Sequence, residues 1–592
     1  MSTSEHVEGW LAEFASALNG GDRSEVTRLF AEESYWRDLI AFTWNVITLE
    51  GKQQIAAMLD QCLANAQPVT LSLSGEPTIE DDVTEAWFEL ETAFGRGRGL
   101  LRLVDGRCWT LLTAMEELKG HEEKKGPNRV QGVAHGATKH RVTWLDERRR
   151  EEQELGHSQQ PYCLIIGGGQ GGIMLAARLR RLGVPAIIIE KNDRAGDSWR
   201  NRYRSLVLHD PVWYDHLPYL PFPDDWPVFT PKDKMGDWLE AYVSIMELNY
   251  WSSTECVSAS FDDKSAKWNV SVVRDGEPVT LHPDQLVIAT GAYGFAKIID
   301  FDGAEKFRGE VFHTSQYKDG AVYAGKRCAV IGSGSSAHDI CADLWENDAD
   351  VTMIQRSPSI VVRSDTLMKL GFASLYSEEA VARGISVDKA DLLFASVPFR
   401  LMPQFQAPLY AEMVAADAEF YQKLSASGFL WDMGKDNSGL LMKALRTASG
   451  YYIDVGASDL IIDGEITVKS GVEIDRFDEH GIIMADGERI DADVIVHATG
   501  YGFMDEMVSR LISPEVANRI GKFWGYGSGI AGDPGPWEGE LRNMWKPTRQ
   551  EALWFHGGNL ALSRHYSLVV ALQIKARMEG IPTPVYPPEA FS

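Results

Sequence analysis

The spacing of hydrophobic positions changes several times along this chain. In HVEGWLAEFASALNG, residues 5–19, Trp10, Phe14 and Leu18 recur every fourth position on one face of a helix, and Gly20 and Gly21 stop it. SEVTRLFAEES reads as a second helix and KQQIAAMLDQCLA as a third, with the apolar run WNVITLEG between them. VTLSLSGEPTIE, EAWFELETAF and GLLRLVDGRCWTLLTAMEEL then read as strands. Helices followed by a strand meander predict a small α+β unit over residues 1–118. From 119 to 160 the chain is highly charged and poor in aliphatics, which predicts a linker with one solvated helix near 143–155.

The main body starts at Pro161 and contains one pattern twice. In CLIIGGGQGGIMLAARLRRLGVPAIIIEK, an apolar run from Cys163 to Ile166 leads into Gly167, Gly169 and Gly172, then an Ala/Leu-rich helix and a second apolar strand. The first glycine of such a G-x-G-x-x-G turn permits the tight turn. The second lets a pyrophosphate approach the backbone, and the third lets the helix pack on the strand. The helix N-terminus presents free N–H groups to the phosphates. Glu190 closes the second strand, where a carboxylate can accept hydrogen bonds from ribose hydroxyls.

The second copy, RCAVIGSGSSAHDICADLWENDADVTMIQRS, carries Gly332, Gly334 and Ala337, and its strand ends on Arg356. A cation there suits a 2′-phosphate. The first copy therefore suits FAD and the second NADPH, with NADH as an accepted alternative. LVIATG and VIVHATG, with Thr290 and Thr499, are apolar strands that stop at Thr-Gly, and they resemble the strands that lead the chain across between domains in two-dinucleotide flavoproteins. They make 292–325 the expected first crossing and place the return near 440–470. The expected units are 161–295 (FAD-binding, first part), 296–445 (NADPH-binding, with a substrate-shaping insert from about 365 to 440) and 446–592 (FAD-binding, second part).

Composition narrows the function classes. The 592 residues carry 85 acidic and 58 basic side chains, a net charge of −27, with 44% hydrophobic residues. That argues for a globular protein and against a general nucleic-acid or anionic-membrane binder. No apolar run of about 20 residues predicts a membrane span, and the N-terminus does not read as a signal peptide. The six cysteines are scattered without a C-x-x-C, so free thiols in a reducing, cytoplasmic compartment are expected, with no structural zinc. No Ser/His/Asp or metal-ligand constellation is visible.

Between the two glycine turns lies FRGEVFHTSQYK. Phe307, Gly309 and His313, followed by Tyr317 and Lys318, resemble the F-x-G-x-x-x-H signature of class B flavin-dependent monooxygenases. The Tyr-Lys ending falls on the side of the flavin-containing monooxygenases, as against the Baeyer–Villiger enzymes. The resemblance covers about 161–580. It implies an α/β fold with two Rossmann-like domains, and insertion of one oxygen atom from O2 into a small organic substrate through a C4a-(hydro)peroxyflavin. N- or S-oxygenation and Baeyer–Villiger oxidation of ketones both stay open. Residues 1–118, mainly through FASALNGGDRSEVTRLFAEESYWRDL, resemble the NTF2-like (SnoaL-like) cone. An NTF2-like extension on such a body resembles the type II flavin-containing monooxygenases. In the cone, Trp36 is expected in the core, with Arg37 and Asp38 as a surface pair; a place for all three at the cone mouth is the alternative.

The resemblance also marks site residues. Gly196 to Arg200 resembles the flavin-side "GG[ST]W" element, which points to Ser198 and Trp199, with Asp197 in place of the second glycine. SLVLHDPVWYDHLPYLPFP resembles the segment passing the isoalloxazine. It has His209, followed by Asp210, where many relatives have Asn, and both are catalytic candidates. His313 either orients the domains or the nicotinamide, or is a structural imidazole satisfied by backbone carbonyls. Asn559 as a cofactor-binding candidate and Arg564 as a catalytic one stand ahead of an amphipathic helix whose N-terminus is expected by the flavin, with a purely structural role for both as the alternative. Ser335 and Ser336 complete the cofactor-binding candidates. A homodimer is expected, with a small molecule and O2 as the other partners. The rivals are a disulfide reductase, which needs a cysteine pair beside the flavin, an NADPH oxidase and a non-catalytic redox sensor.

Overall fold

The computed structural model describes residues 2–133, 135–291, 295–502, 504–586 and 588–591. Its first helix, Thr3–Gly20, is closed at its start by a Ser2/Glu5 capping box. Val7, Trp10, Leu11, Phe14 and Leu18 are its buried stripe. The helix expected over SEVTRLFAEES ends early. Arg23–Arg28 is helical, capped by Asp22, and from Phe30 the chain is a strand, Phe30–Leu39. That strand pairs parallel with Arg107–Leu118 and antiparallel with Val46–Glu50. Two flanking partners satisfy its backbone, and this pairing overrides the local helical preference. The result is a seven-stranded, mostly antiparallel sheet with the Gly51–Ala66 helix packed against it.

Trp36 is in the core as expected, among Phe14, Phe30 and Phe42. Arg37 and Asp38 are not a surface pair. Successive side chains on a strand point to opposite faces, and here both faces are covered. Asp38 turns inward and accepts from Thr113 Oγ1 at 2.6 Å and Thr43 Oγ1 at 2.7 Å. Arg37 turns outward into the body of the protein, against Glu540. The linker carries the expected α-helix, Trp144–Glu154, with a Thr143/Asp146 capping box and no buried residue, and a short 3-10 turn at Gly126–Asn128.

The body is one plan built twice. The first sheet runs Tyr250–Trp251, Ala186–Ile189, Cys163–Ile166, Gln285–Ile288, Leu553–Phe555, all parallel. The second runs Ile466–Ser470, Asp350–Gln355, Arg327–Ile331, Val494–His497, Glu310–His313, again all parallel. In each, the strand before the glycine turn sits between the strand after the helix and the strand ending at Ala-Thr-Gly. Each also carries a three-stranded antiparallel meander, 254–281 and 474–491.

This doubling corrects the expected return near 440–470 and the boundary at 446. Strands Ile466–Ser470 and Val494–His497 belong to the second sheet, so the chain returns only after Gly500. There Phe295–Ala296 and Tyr501–Gly502 pair antiparallel, and the outgoing and returning connections form one two-stranded ribbon. VIVHATG is the second sheet's counterpart of LVIATG, and a strand pairing beside its own glycine-turn strand cannot belong to the other sheet.

The insert is helical, including Val387–Ala395, Met402–Ala416 and Gly439–Thr447. The last long helix, Leu560–Met578, was expected to be amphipathic. It is buried on nearly all sides, Ser563, Gln573 and Lys575 included. It lies between the Gln170–Arg181 helix and the N-terminal strand Arg107–Leu118, which leaves it no solvent face. Among the described residues no helix is long and apolar enough to cross a membrane.

Candidate active site

Both glycine turns open into a single cavity of about 1690 Å³ between the two sheets. The first turn shows why each glycine is needed. Gly167 has φ +111°, and a Cβ there would meet the Ala289 carbonyl oxygen at 2.5 Å. A Cβ on Gly172 would lie 2.0 Å from the Gly167 carbonyl oxygen. At Gly169 the backbone is ordinary (φ −76°), and the nearest protein atom to a Cβ is Ser198 Oγ at 3.7 Å. Nothing in the protein excludes a side chain there. The second turn repeats the arrangement. A Cβ on Gly332 (φ +131°) would meet the Ala498 carbonyl oxygen at 2.3 Å, while one on Gly334 would find only Tyr451 O, at 3.7 Å. The alanines of the two Ala-Thr-Gly tripeptides are thus the residues each turn packs against.

At the strand ends the copies differ in charge. Glu190 accepts from the Gly168 N–H at 2.8 Å and from the Asn192 N–H at 3.0 Å, which holds the turn in shape while the residue lines the cavity. Arg356 is exposed on the opposite wall, beside Ser357 and Pro358. Ser198, Trp199, Thr290, Ser335, Ser336, Thr499 and Asn559 line the same cavity, as do His209 and Asp210. Ser335 Oγ donates to Tyr451 O at 3.0 Å, and Thr499 Oγ1 donates to Lys297 O. Asn559 caps the last helix by accepting from the Leu562 N–H at 3.0 Å, and donates to Tyr214 Oη at 3.0 Å.

Three sequence candidates do not reach the cavity wall. Gly172 lies behind the turn. His313 is fully buried: its Nδ1 accepts from the Ser315 N–H at 3.1 Å, so its Nε2–H donates to Gly500 O at 2.9 Å. Burial lowers its pKa. The neutral ring staples the crossing segment to the returning one, next to Tyr501. The rest of the signature packs against the second sheet's own unit. A Cβ on Gly309 would strike Asp493 O at 2.2 Å, Phe307 meets Phe477 edge-on, and Tyr317 Oη donates to Asp343. Arg564 is also buried. It holds Asp391 of the insert with two bonds of 2.8 and 2.7 Å, and donates to Tyr214 O and His216 O at 2.7 and 2.8 Å.

The sequence reading passed over several polar groups at the flavin-side end. Asp215 is 1% exposed, lines the cavity and has no partner for either carboxylate oxygen. Burial, then the neighbouring Asp210 charge, hold its carboxyl well above the usual range; burial raises Asp210 as well. His556 and Thr290 also have buried polar atoms without partners. Asp215 lies inside the quoted flavin segment, but only the fold shows that it turns inward. Orphaned buried polar atoms beside turns whose middle glycines face open space are what a dinucleotide would satisfy. The residues present fit such a group.

His216, His338 and His565 are held neutral by burial, each pushed down to about 4. Unfolded, they would take up protons near pH ~6.5. Their contribution to stability is therefore full above about pH 6.5 and is lost as pH falls toward about 4. The raised Asp210 and Asp215 offset part of this. Urea midpoints measured from pH 7.5 downward should fall through that window.

The chain is similar to known oxidoreductases. The family model described as pyridine nucleotide-disulphide oxidoreductase matches residues 164–371. The chain is 30% identical over 346 residues to the probable indole-3-pyruvate monooxygenase YUCCA8 of Arabidopsis thaliana, covering 57% of this chain and 74% of that protein. It is 29% identical over 350 residues to the indole-3-pyruvate monooxygenase YUCCA1 of Oryza sativa subsp. japonica, covering 59% and 79%. A solved structure of cyclohexanone monooxygenase shares the fold, with TM-score 0.51 and 20% identity over 71% of this chain and 88% of that one. All six cysteines are free and five are buried, and of the six only Cys256 lines the cavity. The chain belongs to the flavin-dependent monooxygenases.

Proposed function

We propose that the enzyme oxygenates a small carbonyl compound, a ketone or 2-oxo acid, with FAD in the first cradle and NADPH in the second. The observation that carries this is the cavity's mixed wall. Its lining combines apolar Phe394, Leu441, Leu445, Trp524 and Leu562 with protic His209, Asp210 and Tyr214. An apolar wall with a few convergent polar groups suits a small organic ligand held at one polar atom. The substrates printed in the names of the relatives, a 2-oxo acid and a cyclic ketone, belong to this class.

Bound FAD supplies hydride acceptance from the nicotinamide and activation of O2. One oxygen atom enters the substrate, and the other leaves as water with the hydride and a proton. The chain's own residues position and shield. The open faces of Gly169 and Gly334 admit the pyrophosphates, Glu190 faces the flavin's ribose, and Arg356 meets the 2′-phosphate of NADPH. The apolar wall keeps water from the reacting end, where it would divert the oxygen to peroxide. His209 and Asp210 stand where a proton is held.

Oxygenation at soft nitrogen or sulfur is the second reading. Asp215 favours it, because a carboxyl held well above its usual range by burial can supply a proton, and a protonated oxygen being transferred is electrophilic. NADPH consumption and products should be measured with indole-3-pyruvate, cyclohexanone and thioanisole. Turnover of a carbonyl probe is expected. Sulfoxide alone would replace the first reading with the second, and peroxide alone from all three would overturn both. Replacing Arg356 with Ala should raise the KM for NADPH by about tenfold, the cost of one charge-assisted contact, and leave that for NADH nearly unchanged. Equal effects on the two would remove the 2′-phosphate role.

The N-terminal unit is read as an NTF2-like cone that acts as a packing module. Its order of helices, hairpin, helix and meander supports this. A homodimer in the cytoplasm completes the proposal, with the scattered free thiols as its support for the compartment. If the N-terminal unit is needed for packing, a chain started at Pro161 should be insoluble, because it would expose the outer face of the Leu560–Met578 helix. A soluble and fully active product would remove that role.

A further inference from the structure

We propose that Arg37, in the N-terminal unit, is a positioning residue for the substrate side of the cavity. It holds the C-terminal end of the Val387–Ala395 helix, whose Phe394 forms part of the cavity wall. The inference rests on the reading that this apolar side receives the substrate.

The Val387–Ala395 helix is fixed at two points by two different parts of the chain. In its middle, Asp391 takes the two bonds from Arg564 and a third from Tyr376 Oη at 2.9 Å. Arg564 also holds the Tyr214 and His216 carbonyls, so this point is registered to the flavin-side segment. At its end, Arg37 Nη1 donates to Ala395 O at 2.5 Å. Arg102, also from the N-terminal unit, donates to Ser396 Oγ at 2.9 Å. A cation on the last carbonyls of a helix satisfies groups that have no partner within the helix and complements its negative end.

Arg37 can do this only because it is itself locked. Its Nε and Nη2 donate to the two Glu540 oxygens at 2.7 and 2.8 Å, and Nη2 also reaches Tyr566 Oη at 2.9 Å. Thr48 Oγ1 gives Glu540 a further bond at 2.7 Å. Its guanidinium carbon lies 4.9 Å from the centre of the Phe399 ring. Arg37 and Glu540 are each 1% exposed. A planar fork that binds a carboxylate with one edge and a helix end with another is a geometric constraint that a lysine cannot reproduce. A buried pair of this kind contributes more to geometry than to net stability. Phe394 precedes the held carbonyl in sequence, so any freedom at Ala395 is passed to the cavity wall.

The test uses the full-length, flavin-loaded enzyme. The double variant Arg37→Met with Glu540→Leu removes both charges together and leaves neither unpaired. Arg37→Lys keeps the charge without the fork. Hydrogen exchange of the amides in 387–396 should accelerate at least tenfold in the double variant and about threefold in Arg37→Lys, with 163–190 and 327–356 unchanged. The rate of anaerobic flavin reduction by NADPH should stay within twofold of wild type. The KM for the carbonyl probe that the wild type accepts should rise about tenfold, with a larger fraction of NADPH ending as peroxide. Unchanged exchange in 387–396 would overturn the proposal. So would reduction, exchange and KM all failing in proportion, which is the signature of general loosening. If the double variant does not fold, Arg37→Lys decides by the same measures. If the wild type oxygenates no probe, the substrate reading fails, and the exchange measurement still decides the role of Arg37.

Discussion

Gly169→Ala is expected to give a folded protein that comes out colourless. The site tolerates the methyl as far as the protein is concerned, because the backbone has φ −76° and a Cβ meets nothing closer than Ser198 Oγ at 3.7 Å. What the methyl occupies is the face on which a pyrophosphate must approach the N-terminus of the Gln170–Arg181 helix. Losing that approach should weaken FAD binding on the order of 100-fold, equivalent to roughly 3 kcal/mol. Titration of the deflavinated protein with FAD measures this directly, and the thermal midpoint of the flavin-free form should match that of wild type. Gly172→Ala makes the contrast. Its Cβ would sit 2.0 Å from the Gly167 carbonyl oxygen, so the fold fails before the ligand does. A yellow Gly169→Ala protein with wild-type flavin affinity would show that the first turn is not the flavin cradle.

Asp391→Ala is expected to have the largest effect on stability. It leaves the Arg564 guanidinium, 3% exposed as a side chain, with only two backbone carbonyls against its charge. Removing one partner of a buried ion pair costs about 3–5 kcal/mol, because the remaining charge stays desolvated. The loss should appear as a lower urea midpoint and as flavin release at lower temperature, since Arg564 also anchors the Tyr214–His216 backbone. Asp391→Leu combined with Arg564→Met should recover most of the stability, since it leaves no charge unpaired. A loss below about 1 kcal/mol in Asp391→Ala would place this pair with exposed salt bridges, whose contribution is of that order.

Much of the site could be read in the sequence because its geometry is local. A glycine that must turn the chain, one that must face a ligand and one that must admit a helix lie within six residues of each other. The strand on either side supplies its own apolar signal. The same holds for the two Ala-Thr-Gly ends and for the charge at Glu190 and Arg356. The expectation that the second helix would run through FAEES failed because strand pairing overrode the local helical preference of its Ala and Glu residues. They became a strand by pairing with Arg107–Leu118, far along the chain. His313 and Arg564 were candidates by likeness of motif, each with a structural role as the alternative, and the fold gives both the structural role of holding segments together. Asp391 and Asp215 had no local signal that separated them from the other acidic residues of this chain.

What the sequence alone determined is the two glycine turns and the opposite charges at their strand ends, since each turn is specified by residues close enough to satisfy one another. Only the tertiary structure decided which strands share a sheet, where the chain crosses back, and how the N-terminal unit meets the body. Arg37 and Glu540 are 503 residues apart. A buried charge is acceptable only where its counter-charge and hydrogen-bond partners already stand in place, and that placement is a property of the assembled fold, absent from any stretch of the chain.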